Sequence, residues 1–258
     1  MDVIPLSNFE RQQAILTLLK RQQRVKIAQI CEEFGVSEAT ARRDLEALAS
    51  QGLIQRIHGG AIPLHPAAPE PPLLERSQEQ AEEKARIGRL AASLVQDGET
   101  VFLGSGTTVL EVARHLGDRK GLTIITNSLP VINLFAGKEN IQVVCLGGIL
   151  RDSELSFIGH ITENALSEVR ADKVFVGVRA VDLEHGLTND YLPETMTDRA
   201  ILKAGREIIV VADHMKCCRV STAFLAPLTA VHTFITTLEA DQSFISALQE
   251  LGIRVLLA

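Results

Sequence analysis

Five of the nine prolines fall within ten residues, at Pro63, Pro66, Pro69, Pro71 and Pro72. Proline fixes φ, carries no N–H and pushes the residue before it out of helix. This stretch therefore cannot lie inside a helix or a central strand, and it reads as a stiff, extended connector. Whatever the chain folds into, it does so separately on the two sides. The boundaries drawn from this are 1–61 for a small front domain, 62–76 for a proline-rich linker and 77–258 for a large back domain.

With 258 residues there is enough chain for two cores. Tryptophan is absent and there is one tyrosine, so those cores must be built from Val, Ile, Leu and Ala. No apolar run is long enough for a membrane span, and "MDVIPLSNFERQQ" lacks the basic–apolar–small order of a secretion signal. The expected location is the cytoplasm, with no membrane partner. Cys31, Cys145, Cys217 and Cys218 follow no CxxC spacing, and Cys31 and Cys145 read as buried thiols inside apolar patterns. Adjacent Cys217 and Cys218 cannot form an ordinary relaxed disulfide. The seven histidines form no ligand-spaced cluster, so neither metal nor cofactor is expected.

The net charge is −6, but it is unevenly spread. Residues 1–60 hold eight Lys/Arg and seven Asp/Glu, whereas the rest is strongly acidic. Only the front can bind a polyanion, and there the argument rests on placement. "NFERQQAILTLLKRQ" predicts a helix with Phe9, Ile15, Leu16 and Leu19 on one face. "KIAQICEEFG" predicts a second, with Ile27, Ile30, Cys31 and Phe34 apolar and Gly35 as its stop. Ser37 caps a third, whose Ala41, Leu45 and Leu48 face inward, and Gly52 ends it. Only Gly35 and Val36 separate the second helix from that cap, the tight spacing of a helix-turn-helix. "LIQRIHGGAI" then alternates around a glycine turn as a two-stranded wing.

With Ala41, Leu45 and Leu48 buried, the outward face of the third helix begins with Ser37, Glu38, Thr40, Arg42 and Arg43. A helix in the major groove reads bases with these first positions, and arginine grips guanine through a two-pronged fork. Ser37, Thr40 and Arg56 suit phosphate oxygens. His58, Gly59 and Gly60 complete the candidate surface, the glycines allowing close approach of the wing to a duplex. A solvated charged face is the bland alternative, and the helix spacing, the wing and the linker together speak against it.

The back domain alternates short apolar runs with helical patterns. The strand candidates are "TVFLGS", "LTIITN", "IQVVCLGG", "DKVFVGV", "EIIVVAD" and "TFITT". Their β-branched continuity predicts a mostly parallel sheet covered on both faces, an α/β domain. Ligands in such sheets sit beyond the strand C-termini. The residues there are Gly104, Ser105, Gly106, Thr107 and Thr108; Thr126, Asn127 and Ser128; Gly147 and Gly148; Arg179 and Asp182; Asp190 and Glu194; and Asp213 and Lys216. Hydroxyls, bare backbone and lysine suit a phosphate, and the carboxylates suit sugar hydroxyls. Each alone reads as a turn residue; five polar loops on successive strand ends do not.

The front stretch from Val36 to Ala61 resembles the N-terminal signature of the DeoR family of bacterial transcription regulators. Val36-Ser37, Thr40, Arg42-Arg43-Asp44-Leu45, Gly52, Arg56 and His58-Gly59-Gly60-Ala61 carry the likeness, with Ala41 where isoleucine is commoner. The resemblance continues through Lys84, Gly106-Thr107-Thr108, Thr126-Asn127, Gly147-Gly148, Gly177 to Asp182 and Asp213 to Lys216. Ala180, after Arg179, departs from the family's second glycine, and Cys217-Cys218 from its aromatic–glycine pair. It implies a winged helix-turn-helix domain joined to an α/β sensor domain resembling ribose-phosphate isomerases. It also implies double-stranded operator DNA and a phosphorylated sugar or polyol effector as partners, in a homodimer or homotetramer that acts as a repressor and is not an enzyme. The competing readings are a sugar-phosphate isomerase-like enzyme with Glu194 as base, and, more weakly, an RNA-binding module. Scarce aromatics in the front domain disfavour base stacking on single strands.

Overall fold

The computed structural model describes residues 7–22, 25–50, 53–57, 59–63, 65–66 and 71–258. The chain divides into two compact units, residues 1–65 and 66–258.

In the front unit, helices α1 (Asn8–Gln22), α2 (Ile27–Phe34) and α3 (Glu38–Ser50) pack with strands β1 (Val25–Lys26), β2 (Ile54–Ile57) and β3 (Gly60–Pro63). The strands form an antiparallel sheet with β3 in the middle. Ile15, Leu19, Ile30, Ala41, Leu45 and Leu48 fill the core at 0–1% exposure, the inward face of α3 being the one the spacing predicts. In α1 the buried face is Ile15, Leu18 and Leu19, and Phe9 is 71% exposed. Phe9 sits in the first turn of α1, where none of the described elements buries it. Gly35, in the left-handed region at φ 62°, caps α2 by donating to the Cys31 carbonyl.

In the back unit, α4 (Leu73–Arg76) and α5 (Ala81–Ser93) precede a seven-stranded sheet. Its strands are β4 (Thr100–Leu103), β5 (Leu122–Thr126), β6 (Ile141–Cys145), β7 (Ala171–Val176), β8 (Gly205–Val211), β9 (Thr233–Thr236) and β10 (Arg254–Leu257). Between them run α6 (Thr107–Arg114), α7 (Leu129–Phe135), α8 (His160–Ser167), α9 (Leu192–Lys203) and α10 (Gln242–Glu250). All neighbouring strands are parallel, in the spatial order β6-β5-β4-β7-β8-β9-β10. Alternate residues enter opposite cores: Phe102, Val174, Val176 and Val210 on one face, Val101, Leu103, Phe175 and Ile209 on the other. That double burial explains why the strands read as continuous apolar runs.

The winding reverses between β4 and β7, where the chain stops adding strands on one side and starts on the other. Side chains and loops diverge there and leave a crevice at the strand C-termini. Strand β10, at the sheet's edge, has no counterpart in the strand candidates; its four residues are half-buried or exposed. Cys145 is exposed and Cys31 half-buried, contrary to the expected burial. Cys145 ends β6 at the opposite edge of the sheet, open to solvent. All four cysteines are free, and burial pushes the thiols of Cys217 and Cys218 up to about 12.

Candidate functional site

Two surfaces carry chemistry, one in each unit. On the front unit, the Ser37 hydroxyl accepts the Thr40 N–H at 3.3 Å and meets the Thr40 hydroxyl at 3.0 Å, so Ser37 caps α3. Arg42 and Arg43 point outward on the first two turns. Arg42 pairs with Glu38 at 3.1 Å and Arg56 with Glu46 at 2.8 Å, all four side chains open to water. Such exposed pairs are weak, about 0–1 kcal/mol, so they do not hold the arginines back from a stronger anion. They lay the cations across one face of α3 and β2.

The two wing glycines serve different purposes. Gly59 is exposed with φ at +79°, a turn conformation that a Cβ resists. Gly60 is buried, and a Cβ there would stand 2.1 Å from the Val25 carbonyl oxygen. Its bareness therefore serves the pairing of β3 with β1, not an approach to a duplex. His58 lies outside the described residues. The sequence reading missed the role of Asp44. It is 2% exposed and takes Arg11 Nε and Nη2 on its two oxygens, at 2.5 and 3.1 Å. This pair ties α1 to α3, and it holds the Arg11 guanidinium above its usual range.

On the back unit, a cavity of about 520 Å³ opens where the winding reverses. Its floor is the end of β4 with the start of α6, Gly104 to Thr108, and the end of β7 with the loop Gly177 to Arg179. Gly106, at φ +104°, caps α6 with nothing within 4 Å of where a Cβ would be. The first N–H groups of α6 therefore meet the cavity bare, an anion-binding arrangement. Lys84, Asp190, Glu194, Asp213 and Lys216 also line it, so eleven of the expected sensor residues meet in one place.

Six of them do not. Thr126 is fully buried, its hydroxyl donating to Leu103 O at 2.6 Å and accepting the Ser128 N–H at 3.0 Å. Asn127 donates to Phe157 O, and Ser128 bridges Ser156. Gly147 O accepts the Thr162 hydroxyl, and a Cβ on Gly148 would stand 2.1 Å from that hydroxyl, so this pair seats α8. Asp182, fully buried, accepts the N–H groups of Glu184 and His185 and holds a hairpin turn.

The structure adds residues the sequence did not mark: Arg76, Glu79, Gln80, Arg151, Glu154, Asn189, Asp198 and Arg219. Arg76 and Glu154 form a buried pair at 2.5 Å, and Arg76 Nε donates to Pro71 O at 2.7 Å. Lys84, 5% exposed, donates to Arg76 O and Glu79 O. Burial holds its ammonium below the usual lysine range, and Asp213 pulls it back up. Asp213 in turn accepts the Met215 N–H and caps the short turn that presents Lys216. Arg151 grips one Glu194 oxygen, the Ser156 hydroxyl donates to the other at 3.0 Å, and the guanidinium lies 4.4 Å from the Tyr191 ring centre. Asp198 accepts Asn189 Nδ2 at 2.8 Å, while Asn189 Oδ1 accepts the Arg179 N–H. Burial and the nearby Glu194 charge push the Asp198 carboxyl well above the usual range, and burial pushes that of Glu194 up as well.

A winged helix-turn-helix unit joined to a doubly wound α/β unit with a polar cavity at its switch point defines a ligand-responsive DNA-binding regulator. The comparisons agree. Residues 11–67 match the DeoR-like helix-turn-helix domain, and residues 79–237 match the DeoR C terminal sensor domain. The HTH-type transcriptional repressor GlcR of Bacillus subtilis is 36% identical over 96% of this chain and 95% of its own length. The transcriptional repressor AccR of Agrobacterium fabrum is 34% identical over 89% and 90%, and the glycerol-3-phosphate regulon repressor of Escherichia coli 36% over 88% and 91%. Among solved structures, ribose 5-phosphate isomerase A from Methanocaldococcus jannaschii aligns with a TM-score of 0.41 at 22% identity, over 54% of this chain and 55% of the isomerase. The chain belongs to the DeoR family of transcriptional regulators. These three relatives, matched over most of its length, are named transcriptional repressors, not enzymes.

Proposed function

We propose that the chain represses a sugar or polyol operon and lets go of its operator when a phosphorylated sugar or polyol fills the cavity. The observation that carries this is the convergence of Lys84, Lys216 and the bare N-terminus of α6 in one crevice with Asp190, Glu194 and Asp198. A phosphate at the first set meets oriented N–H groups and ammonium donors. Hydroxyls of the same molecule meet carboxylate acceptors at the second. On the front unit, Arg42 and Arg43 read base edges, and Ser37, Thr40, Arg56 and the Gly59 turn hold phosphates. A homodimer or homotetramer would set two such surfaces on repeated half-sites. DNA and effector then oppose each other with a coupling of about 1–3 kcal/mol. No helix among the described residues is long and apolar enough to cross a membrane.

The enzyme reading needs a base poised beside a carbonyl carbon. Glu194 has both oxygens engaged, one by Arg151 and one by Ser156, which suits a wall residue rather than a proton shuttle. The test is a thermal-shift screen against phosphorylated sugars and polyols, paired with assay of their conversion. Ligand binding to the native state raises the melting temperature. A stabilising compound left unconverted supports the regulator; turnover of ribose 5-phosphate would overturn it.

A further inference from the structure

Helix α9 has two opposed faces. Glu194 and Asp198 line the cavity, with fully buried Ile201 beside them. Leu192, Met196 and Arg199 stand at i, i+4 and i+7 and share the other face. On one flank of that face, the Arg199 guanidinium lies 5.9 Å from the Phe224 ring centre; it donates to the Phe224 carbonyl and, at 3.4 Å, to Met196 Sδ. On the other flank, the Thr197 hydroxyl accepts the Gly159 N–H at 2.9 Å, at the head of α8. Ile161 follows in the first turn of α8, and the Ile149 side chain stands 3.6 Å from where a Cβ on Gly159 would be. Helices α9 and α8 and the strands Ile149–Arg151 and Ala223–Ala226 thus build one surface. Its large apolar side chains, Ile149, Ile161, Tyr191, Leu192, Met196 and Phe224, are each 42–60% exposed.

Taking about 150–200 Å² for each whole side chain, the exposed parts come to roughly 500 Å². Single apolar residues on a surface need no explanation, but a patch of this size marks a binding surface. Its area also speaks for the occupant. A standard interface covers about 800 Å² of each partner, and homodimers make about 65% of it apolar, which is again roughly 500 Å². Methionine, aromatic residues and arginine are the types that interfaces favour, and Met196, Tyr191, Phe224 and Arg199 supply them. We propose, resting on the reading of paired half-sites above, that a second copy of this chain docks here, α9 against α9 across a two-fold axis. The cavity wall and the contact between chains are then two faces of one helix. A molecule that moves Glu194 or Asp198 bears on the pairing of the chains and, through it, on the spacing of the two reading helices.

The test is sedimentation of the full chain over a range of concentrations, where the parent should run as a dimer or a larger assembly. Met196→Lys and Phe224→Ser change exposed side chains on two different elements, and circular dichroism checks that each variant is folded. Each should raise the dissociation constant about tenfold or more. Leu251→Glu, exposed just after α10, should leave it unchanged. Hydrogen exchange in the parent, above and below its dissociation midpoint, needs no variant: residues 191–197 and 223–226 should exchange more slowly when assembled. Folded variants that keep the parent's dissociation constant, an equal loss in Leu251→Glu, or no added protection in those two segments would overturn this surface and leave the reading of paired half-sites intact. A parent that stays monomeric at every concentration, alone and with duplex from upstream of its own gene, would overturn both.

Discussion

Asp44 follows the two outward arginines and does the opposite of what they do. It is buried between α1 and α3 and paired with Arg11, so removing it leaves a cation half-buried without its partner. Asp44→Ala should cost about 3–5 kcal/mol and unfold the front unit. Limited proteolysis should then release residues 77–258 intact, and a front unit as resistant as the parent would refute the role. Arg43→Ala should weaken operator discrimination by about 1–3 kcal/mol, whereas Arg56→Ala should weaken all duplexes alike and flatten the salt dependence; binding to matched and scrambled duplexes across salt separates the two. Asp198 makes a prediction about pH. Its folded carboxyl titrates above its unfolded one, so its contribution is favourable below the ordinary carboxylate range and is lost as pH rises through the folded value. Asp198→Asn should therefore raise the melting temperature near neutral pH, by a margin that shrinks toward about pH 4. Melting curves that stay parallel across that range would contradict this. Arg43 and Arg56 stand out in the sequence by their spacing, whereas the buried pairs were not legible there, because the partners are distant: Arg11 meets Asp44 across 33 positions and Arg76 meets Glu154 across 78.

Elements were far easier to read than partners. The inward spacing of Ala41, Leu45 and Leu48 and the stop at Gly35 are local facts of one chain segment, and the structure has them as expected. Six of the seven sheet strands were visible as apolar runs, the central ones because both of their faces are buried; the four-residue edge strand β10, opened by the exposed Arg254, was not. Loops were harder. The glycines and hydroxyls after β5 and β6 look like those after β4, yet the first group seats α8 and the short strand Ser156–Ile158, and only the second faces the cavity. The strand order decides between them, since the crevice opens at the ends of β4, β7 and the neighbouring β8, away from β5 and β6. The wing offers a direct check at this scale. Gly59→Ala strains one turn and should cost about 1 kcal/mol. Gly60→Ala drives a Cβ into the Val25 carbonyl, so it should cost more and pull β1 from β3. Hydrogen exchange at Val25, Lys26 and Ala61 measures it, and equal protection in the two variants would be the wrong outcome.

For the whole molecule, the question is how an occupied cavity reaches the reading helix. One covalent route is visible. The segment that leaves the proline-rich connector supplies Pro71, Arg76, Glu79 and Gln80 to the cavity wall, and Lys84 holds it through the carbonyls of Arg76 and Glu79. On the proposed function, a phosphate that draws on Lys84 would compete with those carbonyls and so link ligand binding to the segment that leaves the connector. Reciprocity then requires DNA to weaken effector binding by the factor with which effector weakens DNA binding. The most direct measurement is fluorescence anisotropy of a labelled duplex from upstream of the chain's own gene. It is titrated with protein at low salt, with and without a phosphorylated sugar already seen to raise the melting temperature. The account predicts tight binding that falls steeply with salt and a further loss of about 5–150-fold in affinity when the compound is present. A folded protein that ignores the duplex, or one whose affinity is the same with its ligand bound, would contradict it.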